Sequence, residues 1–253
     1  MSNIISSSST RIKTGLALIV FVLFIGYVNS FFLTWLFLGF LMIVALKESI
    51  RLFKINTDII YFSSIIIWIL AYFYPKPEDL VFLLAIVFGS VLAYTQNINK
   101  NIFILLLYPL TSFLFIFSLY ISYGMRSLLW LLVIVAGADI GAYFTGKTLG
   151  KTPFCKTSPN KTLEGVAGGV IIAAIFGITF MIENLNFIQG FFISLLVALS
   201  SVFGDLFESY LKRSANVKDS GKLLPGHGGI LDRTDGYLFG GIIMLILLRF
   251  TGI

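Results

Sequence analysis

Residues 218–253 read "KDSGKLLPGHGGILDRTDGYLFGGIIMLILLRFTGI", and the stretch changes character halfway. Up to Asp235 it is polar and turn-rich, with Asp219, Asp232, Asp235, the chain's one histidine (His227) and a Pro-Gly-x-Gly-Gly turn. From Gly236 onward it is an apolar run whose one charge, Arg249, comes near the end. A run of this length can pair all its backbone N–H and C=O groups internally only as a helix, which is what a lipid bilayer requires. It reads as a membrane helix with ionisable groups gathered at its mouth.

Outward from this segment the pattern repeats. Of 253 residues, 58% are hydrophobic and 12% charged, with a mean hydropathy of +0.97. A soluble domain has about 45–50% apolar and roughly 25% charged residues, so too little charge is left to coat a surface facing water. The expectation is an all-α, polytopic integral-membrane helical bundle of about nine spans. They fall at 13–28, 31–46, 58–74, 79–95, 102–122, 127–147, 165–182, 187–211 and 235–251. Asn29-Ser30 makes the first two a tight hairpin. Arg11 and Lys13 precede the first span as in a signal peptide, but no small-x-small cleavage site follows, so the span is expected to be retained.

With the N-terminus inside, Lys76, Arg126 and Arg249 lie outside, and the other 15 of the 18 Lys and Arg fall in cytoplasmic segments. That bias follows the positive-inside rule and puts residues 218–235 in the cytoplasm. The net charge of +6 then reflects orientation and attraction to anionic membrane lipids, with no nucleic-acid partner implied. Cys155 is alone, which excludes a disulfide framework and a cysteine-rich metal site.

Within one continuous membrane domain, residues 1–125 read as a transmembrane scaffold and 126–253 as the catalytic half. The first part is bulky, and its acids (Glu48, Asp58, Glu78, Asp79) sit at span ends. From 126 onward Gly becomes frequent and carboxylates enter the spans, Asp139 in the sixth and Asp205 and Glu208 at the cytoplasmic end of the eighth. Acids at membrane depth usually face a wet cavity or a partner.

Asp205, Glu208, Ser209 and Lys212 fall at i, i+3, i+4 and i+7, one stripe of a helix. Asp232 and Asp235 likewise share a face at the start of the last span. Acids from two helices facing one cytoplasmic pocket make a divalent-cation site, and carboxylate oxygens suit Mg²⁺. Asp232 alone reads equally well as a helix cap. The glycines of "PGHGG", Gly228 and Gly229 among them, allow close backbone approach and offer N–H groups to an anion. Lys212, Arg213, Lys218, Lys222 and Arg233 surround them, an arrangement suited to holding a metal and a polyphosphate together. His227 fits loop hydrogen bonding as well as acid–base chemistry. In "KTPFCKTSPNKTLEG", Ser158 and Lys161 are candidate phosphate contacts and Glu164 a helix-start acid. Neither a GxxxxGK[ST] loop nor a strand-linked GxGxxG is present.

The segment "SYLKRSANVKDSGKLLPGHGGILDRTD" (209–235) resembles the signature of the phosphatidate cytidylyltransferases, or CDP-diacylglycerol synthases. All its specified positions match: Ser209, Lys212, Arg213, Lys218, Asp219, Gly221, Pro225, His227, Gly228, Gly229, Asp232, Arg233 and Asp235. "GDLFES", "DIGAYFTG" and "SPNKTLEG" are similar to companion motifs, so the resemblance covers about 139–240. It implies a nine-span, dimeric enzyme of the bacterial cytoplasmic membrane that joins CTP to phosphatidate, releasing pyrophosphate. It also implies a paired Mg²⁺ centre on Asp205 and Asp232, with K⁺ a candidate for the second position. On this expectation Asp235 is a ligand or an outer acid, and Lys212, Arg213, Lys218 and Arg233 contact phosphate. Ser209, Asp219 and His227 belong to the substrate site, while Asp139 and Glu208 are outer-shell or structural acids. Two rival classes stay open: a CTP-dependent lipid kinase or ether-lipid cytidylyltransferase, and a cation transporter using the same acids.

Overall fold

The computed structural model describes residues 2–55, 58–96, 99, 101–226 and 228–252. His227 lies outside the described residues, as does Lys100, one of the 15 basic residues assigned to cytoplasmic segments. Among these residues the chain is helical, without a strand; two isolated bridges pair Pro153 with Thr162 and Leu224 with Gly228. In chain order the helices are α1 (Ser2–Val28), α2 (Phe31–Phe53), α3 (Ile59–Phe73), α4 (Leu80–Thr95), α5 (Asn101–Leu105), α6 (Ser112–Leu149), α7 (Leu163–Ile178), α8 (Phe187–Ser214) and α9 (Leu231–Phe250).

Among the described residues, four stretches are long and apolar enough to cross a bilayer: Phe31–Phe53, Pro77–Thr95, Ile102–Leu149 and Phe187–Ser214. The hydropathy pattern had called for about nine spans. The difference has three sources. The stretches expected at 102–122 and 127–147 run together as Ile102–Leu149, interrupted by a wide turn at Leu106–Thr111 around Pro109 and by a non-helical Gly124 (φ 71°). In addition, the 20 residues of α9 carry Asp232, Arg233, Asp235 and Arg249, and the apolar part of α1 (Lys13–Val28), α3 and α7 have only 16, 15 and 16 residues. At 1.5 Å per residue that is about 24 Å, short of the ~30 Å hydrocarbon core. Large exposed side chains such as Phe62, Ile66, Phe82 and Ile86 ring the helices. This is a membrane protein.

The chain forms two compact units, Met1–Phe113 with Ser214–Arg233, and Leu114–Arg213 with Thr234–Ile253. In the first, Asn29 takes a left-handed φ of 45° in the tight turn between α1 and α2. Helix α2 buries Met42, Ala45, Leu46 and Ser49, the i, i+3, i+4, i+7 stripe of an amphipathic helix. It packs on α3 and on Leu106–Thr111. Two tryptophans lock the α2–α3 pair by a mutual exchange: Trp35 Nε1 donates to Trp68 O at 2.9 Å and Trp68 Nε1 to Trp35 O at 3.3 Å. Left-handed Lys54 ends α2, its N–H bonding the last carbonyls.

In the second unit, small residues let helix backbones meet. A Cβ on Gly141 would lie 3.0 Å from Gly169 Cα, and one on Gly169 would lie 2.5 Å from Ala138 O. Tight α6–α7 packing of this kind replaces the hydrophobic drive that is missing in lipid. Trp130 Nε1 donates to Ser194 Oγ at 3.1 Å, tying α6 to α8. Gly141 and Gly169, among the glycines that become frequent after residue 126, therefore serve helix packing.

Candidate functional site

Helix α8 runs past its apolar stretch into "FGDLFESYLKR", 203–213. Its helical spacing puts Asp205, Glu208, Ser209 and Lys212 on one face. Ser209 Oγ donates to Asp205 Oδ1 at 3.3 Å. The Lys212 ammonium pairs with Glu208 Oε2 one turn back. Glu208 is fully buried, and a carboxylate out of water needs such a counter-charge. Helix α9 supplies a third acid, Asp235, which accepts the Gly236 N–H at 2.8 Å. One carboxylate oxygen from each of Asp205, Glu208 and Asp235 lies within 4.8 Å of the other two. Gly204 permits this: a Cβ there would stand 2.4 Å from the Asp235 carbonyl oxygen, so any side chain would force α8 and α9 apart. Asp139, exposed on α6, is within electrostatic reach of Asp235.

Lys161 comes to the same cluster from the α6–α7 loop and pairs with Asp205 Oδ2. The loop is built to deliver it. Phe154 N–H donates to Lys161 O at 2.8 Å, Leu163 N–H to Thr152 O at 2.9 Å, and Lys161 N–H to Ser158 O at 3.1 Å. Thr162 caps α7 by accepting the Gly165 N–H at 3.2 Å. Glu164, just ahead of the apolar run, turns back to accept the amides of Lys151 (3.1 Å) and Thr152 (3.2 Å) and the Thr152 hydroxyl (2.8 Å). The Lys151 amide leads these donors in pulling its carboxyl down to about 2. Glu164 is thus a loop clamp, and Ser158 a turn residue under Lys161.

The "DSGKLLPGHGGILD" segment is organised around two acids of the first unit. Asp232 Oδ2 accepts the Ser220 N–H at 2.9 Å, the Ser220 hydroxyl at 2.8 Å and the Gly229 N–H at 2.8 Å. The bond from Gly229 pairs an amide just ahead of α9, where a negative charge in the first turn is also favoured by the helix dipole. Gly228 has φ 83°, a conformation that favours glycine, and its carbonyl accepts the Leu224 N–H at 2.9 Å. Glu48 of α2 is the second acid, 4% exposed, and accepts from Ser220 Oγ (3.2 Å), Ile230 N–H (3.2 Å) and Leu231 N–H (2.8 Å). The same segment lines a cavity of about 420 Å³ with Lys218, Lys222 and Arg233 against Asp219. Arg213 is exposed in the last turn of α8.

Three carboxylates from two helices fit a hard divalent cation, which prefers oxygen donors, and the flanking ammonium groups favour phosphate beside it. The cavity is basic and of the size that small-molecule sites have. Sequence reasoning overlooked Glu48 and Ser220 and gave Glu208 only a marginal place. Helical spacing pointed to Glu208, four residues before Lys212. Nothing in the sequence linked Glu48 to a segment 172 residues further along the chain.

A model of the cytidylyltransferase family matches residues 9–251. The chain is 43% identical over 244 residues to a phosphatidate cytidylyltransferase of Helicobacter pylori strain J99, covering 95% of this chain and 92% of that protein. Phosphatidate cytidylyltransferases of Bacillus subtilis and of Arabidopsis chloroplasts match over shorter stretches. The first is 47% identical over 47% of this chain and 45% of its own length, the second 46% identical over 43% and 29%.

Proposed function

The chain belongs to the cytidylyltransferase family, and on that premise we propose that it transfers the cytidylyl group of CTP to phosphatidate, giving CDP-diacylglycerol and pyrophosphate. The observation that carries the site is the all-oxygen cluster of Asp205, Glu208 and Asp235, with Lys161 and Lys212 paired to it.

A phosphatidate oxygen forms a bond to the α-phosphorus of CTP. The bond from that phosphorus to the bridging oxygen breaks, and its electron pair leaves with pyrophosphate. The attacking oxygen is already ionised, so no proton has to move and no strong general base is needed. The obstacle is repulsion between two phosphate anions. Asp205, Glu208 and Asp235 would hold Mg²⁺, and Asp232 keeps the metal role that its motif implies, with K⁺ as the candidate second ion. When bound, the cation neutralises phosphate charge and orients both groups. Lys161 and Lys212 balance the acids, and Lys218, Lys222 and Arg233 screen the triphosphate and the departing pyrophosphate. The lipid tails stay in hydrocarbon while CTP enters from water.

The same reading takes the chain as a nine-crossing, homodimeric protein of a bacterial cytoplasmic membrane, with its site on the cytoplasmic side. Its supports are the 15-of-18 bias of basic residues and the bacterial relatives. Incubating purified protein with Mg²⁺, phosphatidate and CTP labelled at the α- or the γ-phosphate tests the chemistry. Cytidylyl transfer puts the α label into lipid; γ label in lipid identifies a kinase, and cation flux into sealed vesicles without lipid conversion identifies a transporter.

A further inference from the structure

The buried carboxylate of Glu48 has no part in the chemistry above, yet it is the hub of the motif segment. It accepts two backbone N–H groups at the start of α9, Ile230 at 3.2 Å and Leu231 at 2.8 Å. Those are helix-end donors with no partner inside the helix. A cap explains these two bonds but not the third, from Ser220 Oγ at 3.2 Å. That hydroxyl also lies 2.8 Å from Asp232 Oδ2, so its single proton is shared between the two carboxylates and one side chain joins Glu48 to the motif aspartate. Two glycines make room for Glu48. A Cβ on Gly221 would stand 2.1 Å from its Oε1, and one on Gly229 would stand 2.4 Å from its Oε2. The glycines of the motif therefore fit the acid from α2 as well as any ligand.

We propose that Glu48 is a positioning residue for cytidylyl transfer: working through Ser220 and the amides of Ile230 and Leu231, it holds the 220–232 segment so that Asp232 presents its carboxylate in one orientation. This rests on the reading of Asp232 given above. The role is indirect, since Glu48 touches the segment and not the substrate.

The test uses the full-length protein in lipid nanodiscs with three variants, Glu48→Gln, Ser220→Ala and the double variant. Three properties are read: kcat and KM for CTP with α-labelled CTP and phosphatidate, hydrogen exchange of peptides covering 218–231, and thermal unfolding. A Gln amide turns its NH₂ toward N–H donors and opposes them. Glu48→Gln should lower kcat about tenfold or more, a loss of ~1.4 kcal/mol in transition-state stabilisation, with KM for CTP within threefold. Exchange in 218–231 should accelerate while peptides of α8 stay protected. Ser220→Ala should lower kcat severalfold, and the double variant should lose no more than Glu48→Gln alone, because both act along one path. Wild-type kcat in Glu48→Gln, or losses that multiply in the double variant, would overturn the inference. So would a loss that accompanies accelerated exchange in α2, α8 and 218–231 alike. If Glu48→Gln does not fold, Ser220→Ala decides: wild-type kcat there refutes the role, and a kcat loss with unchanged melting supports it. Absence of α-label transfer by the wild-type protein would instead remove the catalytic reading itself.

Discussion

Asp232 receives three hydrogen bonds on a single oxygen, Oδ2, from Ser220 and Gly229. An asparagine can keep all three through its one carbonyl oxygen while losing the charge. Asp232→Asn therefore separates the two readings of this residue, helix cap and metal ligand. We expect it to remain folded in the membrane and to lose CTP-dependent lipid product by about 10²-fold or more, as for a disrupted metal shell. Wild-type turnover would leave Asp232 as a cap alone. Asp205→Asn should be equally inactive but less stable, since it also uncouples Lys161 and Ser209. The companion measurement is the thermal melting of each variant in detergent.

At the scale of elements, what counts is how close two helices or a loop can come. Gly204 brings α8 against the Asp235 carbonyl, so Gly204→Ala inserts a methyl where only 2.4 Å is open. Overpacking of this kind costs about 1–3 kcal/mol. The expected result is a lowered melting point together with lost activity, because moving α9 from α8 also separates the carboxylates. Full activity in this variant would mean that the cluster tolerates a wider gap. The α6–α7 loop depends on charge. The Glu164 carboxyl sits at about 2 when bonded and 4.5 when free, so its contribution to loop order is complete above pH 4.5 and is lost as the pH falls toward 2. Pepsin should cut within residues 151–162 increasingly over that range in wild type. In Glu164→Gln, which has no charge to lose, cutting should already be high at pH 4.5 and change little.

For the whole molecule the open quantity is sidedness, and the chain carries its own probe. Cys155 is the one cysteine and lies in the α6–α7 loop that bears Lys161. With that loop in the cytoplasm, a membrane-impermeant maleimide should label Cys155 in inside-out vesicles and not in sealed right-side-out ones. The reverse pattern would invert the topology read from the basic residues. No mutation is needed, and Cys155 makes none of the site contacts described above.

Membrane character and the chemical class of the motif were legible in the chain, which also carries the bias of basic residues on which the proposed orientation rests. Each depends on residue type and local spacing: apolar runs, the placement of Lys and Arg, and a dense signature over 209–235. The stripe of Asp205, Glu208, Ser209 and Lys212 was legible for the same reason, because helical periodicity reports which residues share a face. It does not report what that face meets. The pairing of Lys161 with Asp205, the seating of Asp235 beside Gly204 and the reach of Glu48 to Ser220 arise between segments far apart in sequence. Span length followed the same division: hydropathy marked the apolar stretches, while the turn at Pro109, the break at Gly124 and the shortness of α3 and α7 emerged only on folding. Local pattern selects the elements, and the packing of backbones within a few ångströms of one another decides which polar groups become partners.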